Sequence, residues 1–208
     1  MTFGKRIFDI IVALMLGVFL LPVMIVVGVL IRVLDGGPVF YVSERMKTPV
    51  EPFWLYKFRT MKPAADDYGV SGGDKVARIT RTGRFLRRTR LDEVPQLWNV
   101  LRGDISFVGP RPPLRSIVER YPEIYGKVLR SRPGITGMAS ILYHKHEERL
   151  LAGSTSSEET HALYTRVCVP RKAQLDLIYQ ERRSLCLDML LMLKTVFRRV
   201  PLRLTRRS

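Results

Sequence analysis

Residues 10–31 run for 22 consecutive positions without a charged side chain, and this stretch constrains the chain more than anything else in it. At roughly 1.5 Å per residue a helix of that length reaches across ~30 Å of hydrocarbon. A secretory signal fits poorly: the run ends in Arg32-Val33-Leu34-Asp35, without a small-residue cleavage pattern. A buried soluble helix would need a larger apolar partner than the basic remainder offers. Two features favour re-entry over a straight span. Pro22 sits mid-run, removes one amide donor and bends a helix. Basic residues also flank both ends, Lys5 and Arg6 before the run and Arg32 after it, and both flanks prefer the cytoplasmic side. A helix that dips in and returns keeps all that charge on one face.

The rest of the chain must then form one compact unit, because 208 residues are too few for two ordinary domains beside an anchor. Lys and Arg outnumber Asp and Glu by 35 to 19, a net charge of +16, so the surface meets something negative: nucleic acid, anionic lipid or a phosphorylated substrate. The two cysteines, Cys168 and Cys186, stand in no C-x-x-C pattern, which argues against a disulfide framework or a structural zinc.

Gly36-Gly37-Pro38 ends the helix, and the aromatic segments 39–42 and 53–58 read as two strands of a hairpin. Residues 63–75 read as an exposed polar loop. Arg78, Arg81, Arg84, Arg87, Arg88 and Arg90 follow, several at three-residue spacing on one side of a helix. A helix over 95–101 stops at Gly103. Pro110, Pro112 and Pro113 stiffen the chain around Arg111, and residues 115–130 read as one further helix. Residues 132–137 read as a loop, while 143–159 are polar and carry no clear pattern. Near the end Met189, Met192, Leu193, Val196, Phe197 and Val200 recur at helical spacing, with Asp188, Lys194, Thr195, Arg198 and Arg199 opposite. That stripe reads equally as a helix in the membrane plane or as core packing. The fold class expected is α+β, mainly helical with a short hairpin, with surface amphipathic helices: residues 1–36 as the re-entrant anchor, 37–208 as the folded unit.

The densest chemical constellation is Leu91-Asp92-Glu93-Val94-Pro95, adjacent carboxylates after an arginine run. Neighbouring positive charge favours the ionised forms of both acids. Ionised carboxylates bind Mg²⁺ or attack phosphorus, and Mg²⁺ asks for only one or two of them when substrate phosphates complete its shell. A helix cap with a first-turn acid is the plainer alternative. Arg111 in Gly109-Pro110-Arg111-Pro112 has a restricted backbone, which suits bidentate phosphate binding. Lys57 and Arg59, beside the aromatic strand, would add positive charge to the same pocket.

Lys5-Arg6-Ile7-Phe8-Asp9, Pro22, Gly37-Pro38-Val39-Phe40, Tyr56-Lys57-Phe58-Arg59-Thr60-Met61, the stretch from Leu91 through Asp92, Glu93 and Asn99 to Asp104, Phe107 to Pro112, and Arg132-Pro133-Gly134-Ile135-Thr136-Gly137 together resemble the bacterial sugar transferases. More narrowly, the chain resembles the small monotopic polyprenyl-phosphate phosphoglycosyl transferases. The resemblance implies a catalytic unit on the cytoplasmic face of a bacterial inner membrane, held in membrane lipid by a helix bent at Pro22. It implies transfer of a sugar 1-phosphate from a UDP-sugar to polyprenyl (undecaprenyl) phosphate, with release of UMP, as the opening step of surface-glycan assembly. By the same resemblance Asp92 is the nucleophile, forming an acyl-phosphate intermediate, and Asp92 with Glu93 holds Mg²⁺. Lys57, Arg59, Arg87, Arg111 and Arg132 are the expected substrate-binding residues.

The chain departs from the family pattern at Leu21, where Ser is frequent, at Ser43-Glu44-Arg45-Met46-Lys47, and at Met138-Ala139-Ser140 with the following His144-Lys145-His146. The alternatives are a membrane-tethered nucleic-acid binder and a non-catalytic scaffold. No nucleic-acid motif is present and no nucleic-acid partner is expected. The residues are compatible with an oligomer without requiring one.

Overall fold

The computed structural model describes residues 1–62 and 77–197. The loop expected at 63–75 and the basic tail beyond 197, Val200 included, lie outside the described residues.

Helix α1 (Phe3–Leu30) starts where Thr2 Oγ1 accepts the Lys5 amide, and continues through Pro22 into a short π-helical turn, Ile31–Asp35. It is long and apolar enough to cross a membrane: its most apolar 18-residue stretch has a mean hydropathy of 3.1, and little of that stretch is buried. Only a few of its residues are buried, and they lie near its two ends: Asp9 and Ala13, then Val27 and Ile31. Ala13 packs in the main core with Leu97, Val100, Ile105 and Phe107, whereas Val27 and Ile31 pack with Phe58 and Leu86. Both ends of α1 therefore rest on the same folded unit.

Polar contacts pin the first end. The Arg6 guanidinium donates to the Val100 carbonyl at 2.6 Å and the Leu101 carbonyl at 2.8 Å, placing positive charge on the last carbonyls of a helix C-terminus. Lys5 pairs with Asp188, which also accepts from the Tyr179 hydroxyl at 2.6 Å.

Strands β1 (Phe40–Met46) and β2 (Pro52–Phe58) form the expected antiparallel hairpin, with Phe40 opposite Phe58 and Met46 opposite Pro52. The divergent segment 43–46 is thus strand. Helix α2 (Arg81–Thr89) carries the arginines, and Gly83 lets it touch the hairpin, since a β-carbon there would lie 2.1 Å from the Thr60 carbonyl oxygen. A 3₁₀ turn, Leu91–Glu93, leads into α3 (Gln96–Arg102). Fully buried Asn99 fixes α3 to β2, accepting from the Tyr56 amide at 3.1 Å and donating to the Trp54 carbonyl at 2.7 Å.

Residues 132–137 are not simply a loop. β4 (Gly134–Thr136) pairs in parallel with β3 (Ser106–Val108). The pairing escapes a propensity reading because Gly134 is there for clearance: a β-carbon would come within 2.2 Å of the Gly109 nitrogen. The single helix expected over 115–130 is two, α4 (Arg115–Arg120) and α5 (Pro122–Val128). Pro122 lacks the amide that would continue the first, and Tyr121 before it leaves the helical region at φ −130°, ψ 60°.

After α6 (Met138–Leu142), the polar stretch without clear pattern folds as α7 (His144–Leu151) and the start of α8 (Ser157–Leu163), joined through a π turn to α9 (Val169–Arg182). In α10 (Leu185–Val196) the structure decides between the two readings of the apolar stripe. Asp188, on the face opposite the stripe, is buried, as is Leu191, and Thr195 is hydrogen-bonded to Thr136 at 2.7 Å. Met189, Leu193, Val196 and Phe197 point outward. Pairing with Lys5 and Tyr179 makes burial of Asp188 tolerable, and the outward stripe is the one that suits a lipid surface.

Candidate active site

Asp92 sits on the 3₁₀ turn between α2 and α3. The chain reaches that turn through Arg90, the one non-glycine with positive φ (58°) among the described residues. This left-handed residue closes α2 and turns the carboxylates back toward the hairpin.

Glu93 is 9% exposed and surrounded by cations. Lys57 on β2 donates to its Oε1 at 2.9 Å, Arg111 approaches the same oxygen at 3.5 Å, and Arg90 reaches Oε2 at 3.4 Å. Arg87 lies alongside, its Nε donating to Thr60 Oγ1 at 2.9 Å, so the strand that presents Lys57 leads into the anchor of Arg87. Arg111 owes its position to the parallel pair. The Gly109 amide donates to the Thr136 carbonyl at 2.9 Å and the Gly134 amide to the Pro110 carbonyl at 2.8 Å, fastening both sides of the proline-bounded turn.

The two acids behave differently in this field, and the expectation that both ionise alike needs correcting. Burial opposes the Glu93 charge, but Lys57 and Arg111, the Lys57 hydrogen bond and then Arg90 outweigh it and hold the carboxyl at about 2. Asp92 is pushed above the usual carboxylate value by burial first and then by the fixed charge of Glu93, against Lys57, Arg87 and Arg111. Among the described residues no hydrogen bond or ion pair engages the Asp92 carboxylate. Glu93 is thus the permanent counter-ion, and Asp92 is an unengaged carboxylate facing three cations.

The structure thus gathers Asp92, Glu93, Lys57, Arg87 and Arg111. It does not bring Arg59 or Arg132 to them. Arg59 donates to the carbonyls of Asp35 and Gly36 and locks the exit of α1. Arg132 lies beside Arg6 and Gly103, near the first end of α1. Charge beside the aromatic strand marked Arg59 and a family-like motif marked Arg132, and neither signal says which partners a guanidinium has.

Conversely, Lys172, Glu147 and Tyr164 were not singled out from the sequence. Lys172 Nζ is 2.8 Å from Glu147 Oε2 and 3.3 Å from the Tyr164 hydroxyl, and both acceptors act electrostatically on Arg111. Three residues spread over α7, the π turn and α9 leave no local signal. Among the described residues no group of three or more His, Cys, Asp or Glu is placed to hold a metal, the His144 and His146 pair included.

The family described as bacterial sugar transferase matches residues 1–201, nearly the whole chain. The chain belongs to the bacterial sugar transferases. A Bacillus subtilis relative named an uncharacterized sugar transferase, EpsL, is 42% identical over 137 residues, covering 66% of this chain and 67% of that protein. A Caulobacter vibrioides UDP-glucose:undecaprenyl-phosphate glucose-1-phosphate transferase is 33% identical over 197 residues, covering 92% of this chain and 68% of that protein. An Aeromonas hydrophila UDP-N-acetylgalactosamine-undecaprenyl-phosphate N-acetylgalactosaminephosphotransferase is 32% identical over 201 residues, covering 94% of this sugar transferase but only 43% of that longer protein. The names of the last two cite different sugars, glucose and N-acetylgalactosamine, on one lipid carrier, undecaprenyl phosphate.

Proposed function

We propose that this sugar transferase moves a sugar 1-phosphate from a UDP-sugar to a polyprenyl phosphate through a covalent aspartyl phosphosugar. The observation that carries the reading is the unengaged Asp92 carboxylate set among Lys57, Arg87 and Arg111, with Glu93 already paired. Asp92 attacks the phosphorus that bears the sugar, the bond to the bridging oxygen breaks, and UMP leaves with that electron pair. An oxygen of polyprenyl phosphate then attacks the same phosphorus and frees the carboxylate, giving the polyprenyl-diphospho-sugar. The cations bind the diphosphate and offset charge that builds on the transferring group. The variety of sugars in the relatives' names leaves the donor sugar to be found by experiment.

The residues present fit Mg²⁺. Among the described residues Asp92 is unengaged and Glu93 Oε2 is met by Arg90 alone, at 3.4 Å, which suits a cation that takes one or two carboxylates and completes its shell from phosphates. When bound, the ion would neutralise diphosphate charge. The test is UMP release by detergent-solubilised protein given Mg²⁺, polyprenyl phosphate and a panel of UDP-sugars. We expect release with at least one sugar and its loss, at least ~100-fold, on chelation by EDTA. No release with any sugar from folded, Mg²⁺-loaded protein refutes the reading.

We infer further that α1 re-enters the membrane, leaving the catalytic unit on the cytoplasmic face of a bacterial inner membrane. A straight helix of 28 residues is about 42 Å long, and its ends would emerge on opposite sides of ~30 Å of hydrocarbon. Here Lys5 and Arg6 at one end and Ile31 at the other all touch the same folded unit. Basic flanks at both ends favour the cytoplasm. A Gly4→Cys, Cys186→Ser protein in spheroplasts should resist a membrane-impermeant thiol reagent until the membrane is opened. Labelling of the introduced N-terminal thiol in intact spheroplasts would establish a span instead.

A further inference from the structure

The second half of α1 and the hairpin enclose an open groove of ≈ 520 Å³. Leu21, Ile25 and Val29 line it from the helix, and Phe40 and Phe58, whose rings stack 5.5 Å apart, line it from the strands. Among the described residues Arg32 is its one charged lining residue. The volume lies in the range of pockets that hold drug-sized ligands. Its apolar character has no use in binding a nucleotide sugar, and the function assigned above leaves it without a role.

Two junctions tie the groove to the active site. Phe58 belongs to the cluster of Val27, Ile31 and Leu86, against which Leu91 also packs. Leu91 directly precedes Asp92, and Lys57 directly precedes Phe58. Successive strand residues face opposite sides, so Phe58 turns to the apolar cluster while Lys57 reaches Glu93 at 2.9 Å. The groove is apolar apart from Arg32, begins on the apolar helix, and is walled by strand β2, whose other face carries Lys57 of the cation cluster. That is the profile of a site for one long apolar chain ending in phosphate.

We propose that this groove seats the proximal isoprene units of the polyprenyl phosphate acceptor, its phosphate directed toward Lys57, Arg87 and Asp92. The proposal rests on the acceptor being a polyprenyl phosphate, as read above. The distal units lie in the bilayer. A phospholipid would bring a two-chain body and a bulky headgroup, for which the single groove and the bare cation cluster offer no match.

Val29 is 57% exposed, so Val29→Trp fills the groove without disturbing buried packing. With this variant in detergent, the KM for polyprenyl phosphate should rise at least tenfold, while the KM for the UDP-sugar and the acceptor-free, single-turnover burst of UMP stay within twofold. An unchanged acceptor KM overturns the proposal. A second measurement covers a variant that folds badly. Wild-type protein in phosphatidylcholine vesicles is photolabelled with a diazirine-bearing polyprenyl phosphate. Adducts should map to residues 21–33 and 39–58, removed by unlabelled polyprenyl phosphate and not by equal phosphatidylglycerol. Adducts elsewhere, or equal competition by the phospholipid, overturn the proposal. Photolabelling needs no turnover, so a wild-type protein that releases no UMP refutes the reaction while leaving the groove separately judged.

Discussion

Asp92→Asn should abolish transfer, lowering UMP release by about 10⁴-fold or more, the scale seen when a nucleophile is deleted from an otherwise intact site. The substitution is isosteric and removes the negative charge that Glu93 and burial both disfavour, so nothing in the packing suffers. The variant should melt at or slightly above the wild-type temperature, bind membranes normally and still bind the UDP-sugar through Lys57, Arg87 and Arg111. Incubated with UDP-sugar carrying label in the sugar, wild-type protein without acceptor should retain label covalently, and Asp92→Asn should retain none. Turnover by the variant within tenfold of wild type would remove Asp92 as nucleophile and leave the basic cluster to bind an attacking group from elsewhere.

The second large effect is on stability. Asp188 is 2% exposed and meets the Lys5 ammonium on one oxygen and the Tyr179 hydroxyl on the other. Asp188→Ala leaves a nearly buried ammonium without its counter-ion, a defect that costs about 3–5 kcal/mol. For a chain of 208 residues that corresponds to a fall of roughly 10 °C in Tm, measured in detergent. Replacing both charges, Lys5→Met with Asp188→Leu, should recover most of the loss, because apolar groups of similar volume substitute for a buried pair at little cost. If the double variant melts as low as the single one, the uncompensated charge is not the cause.

The cluster around Asp92 and Glu93 was legible in the sequence because its members sit in short segments whose local chemistry is unusual: adjacent acids after an arginine run, an arginine between prolines, a lysine in an aromatic strand. The attachment of α1 was not. Lys5 and Arg6 read as flanking charges, and they do flank the apolar run, but each also has a buried partner far along the chain, Asp188 in one case and the end of α3 in the other. Asp188 itself hid among the polar residues of a basic helix. Helical spacing reports which residues share a face and not which face meets the core, so the stripe of α10 was recognised while its direction remained open. Arg59 shows the same limit for charge, since a guanidinium that fastens two carbonyls looks like one that awaits phosphate. The pairing of β3 with β4 depends on clearance at Gly134, which no propensity records.

The Lys5–Asp188 contact joins residues 183 positions apart, which gives synthesis of this protein an order in time. At roughly 5–20 residues per second, the apolar segment leaves the ribosome about 10–40 s before its acidic partner exists. During that interval α1, on the membrane placement proposed above, has only lipid to settle against. Assembly under that proposal runs with α1 seated first and the folded unit closing onto it last, and a ribosome stalled short of α10 would leave an inserted chain whose anchor has not yet been clasped.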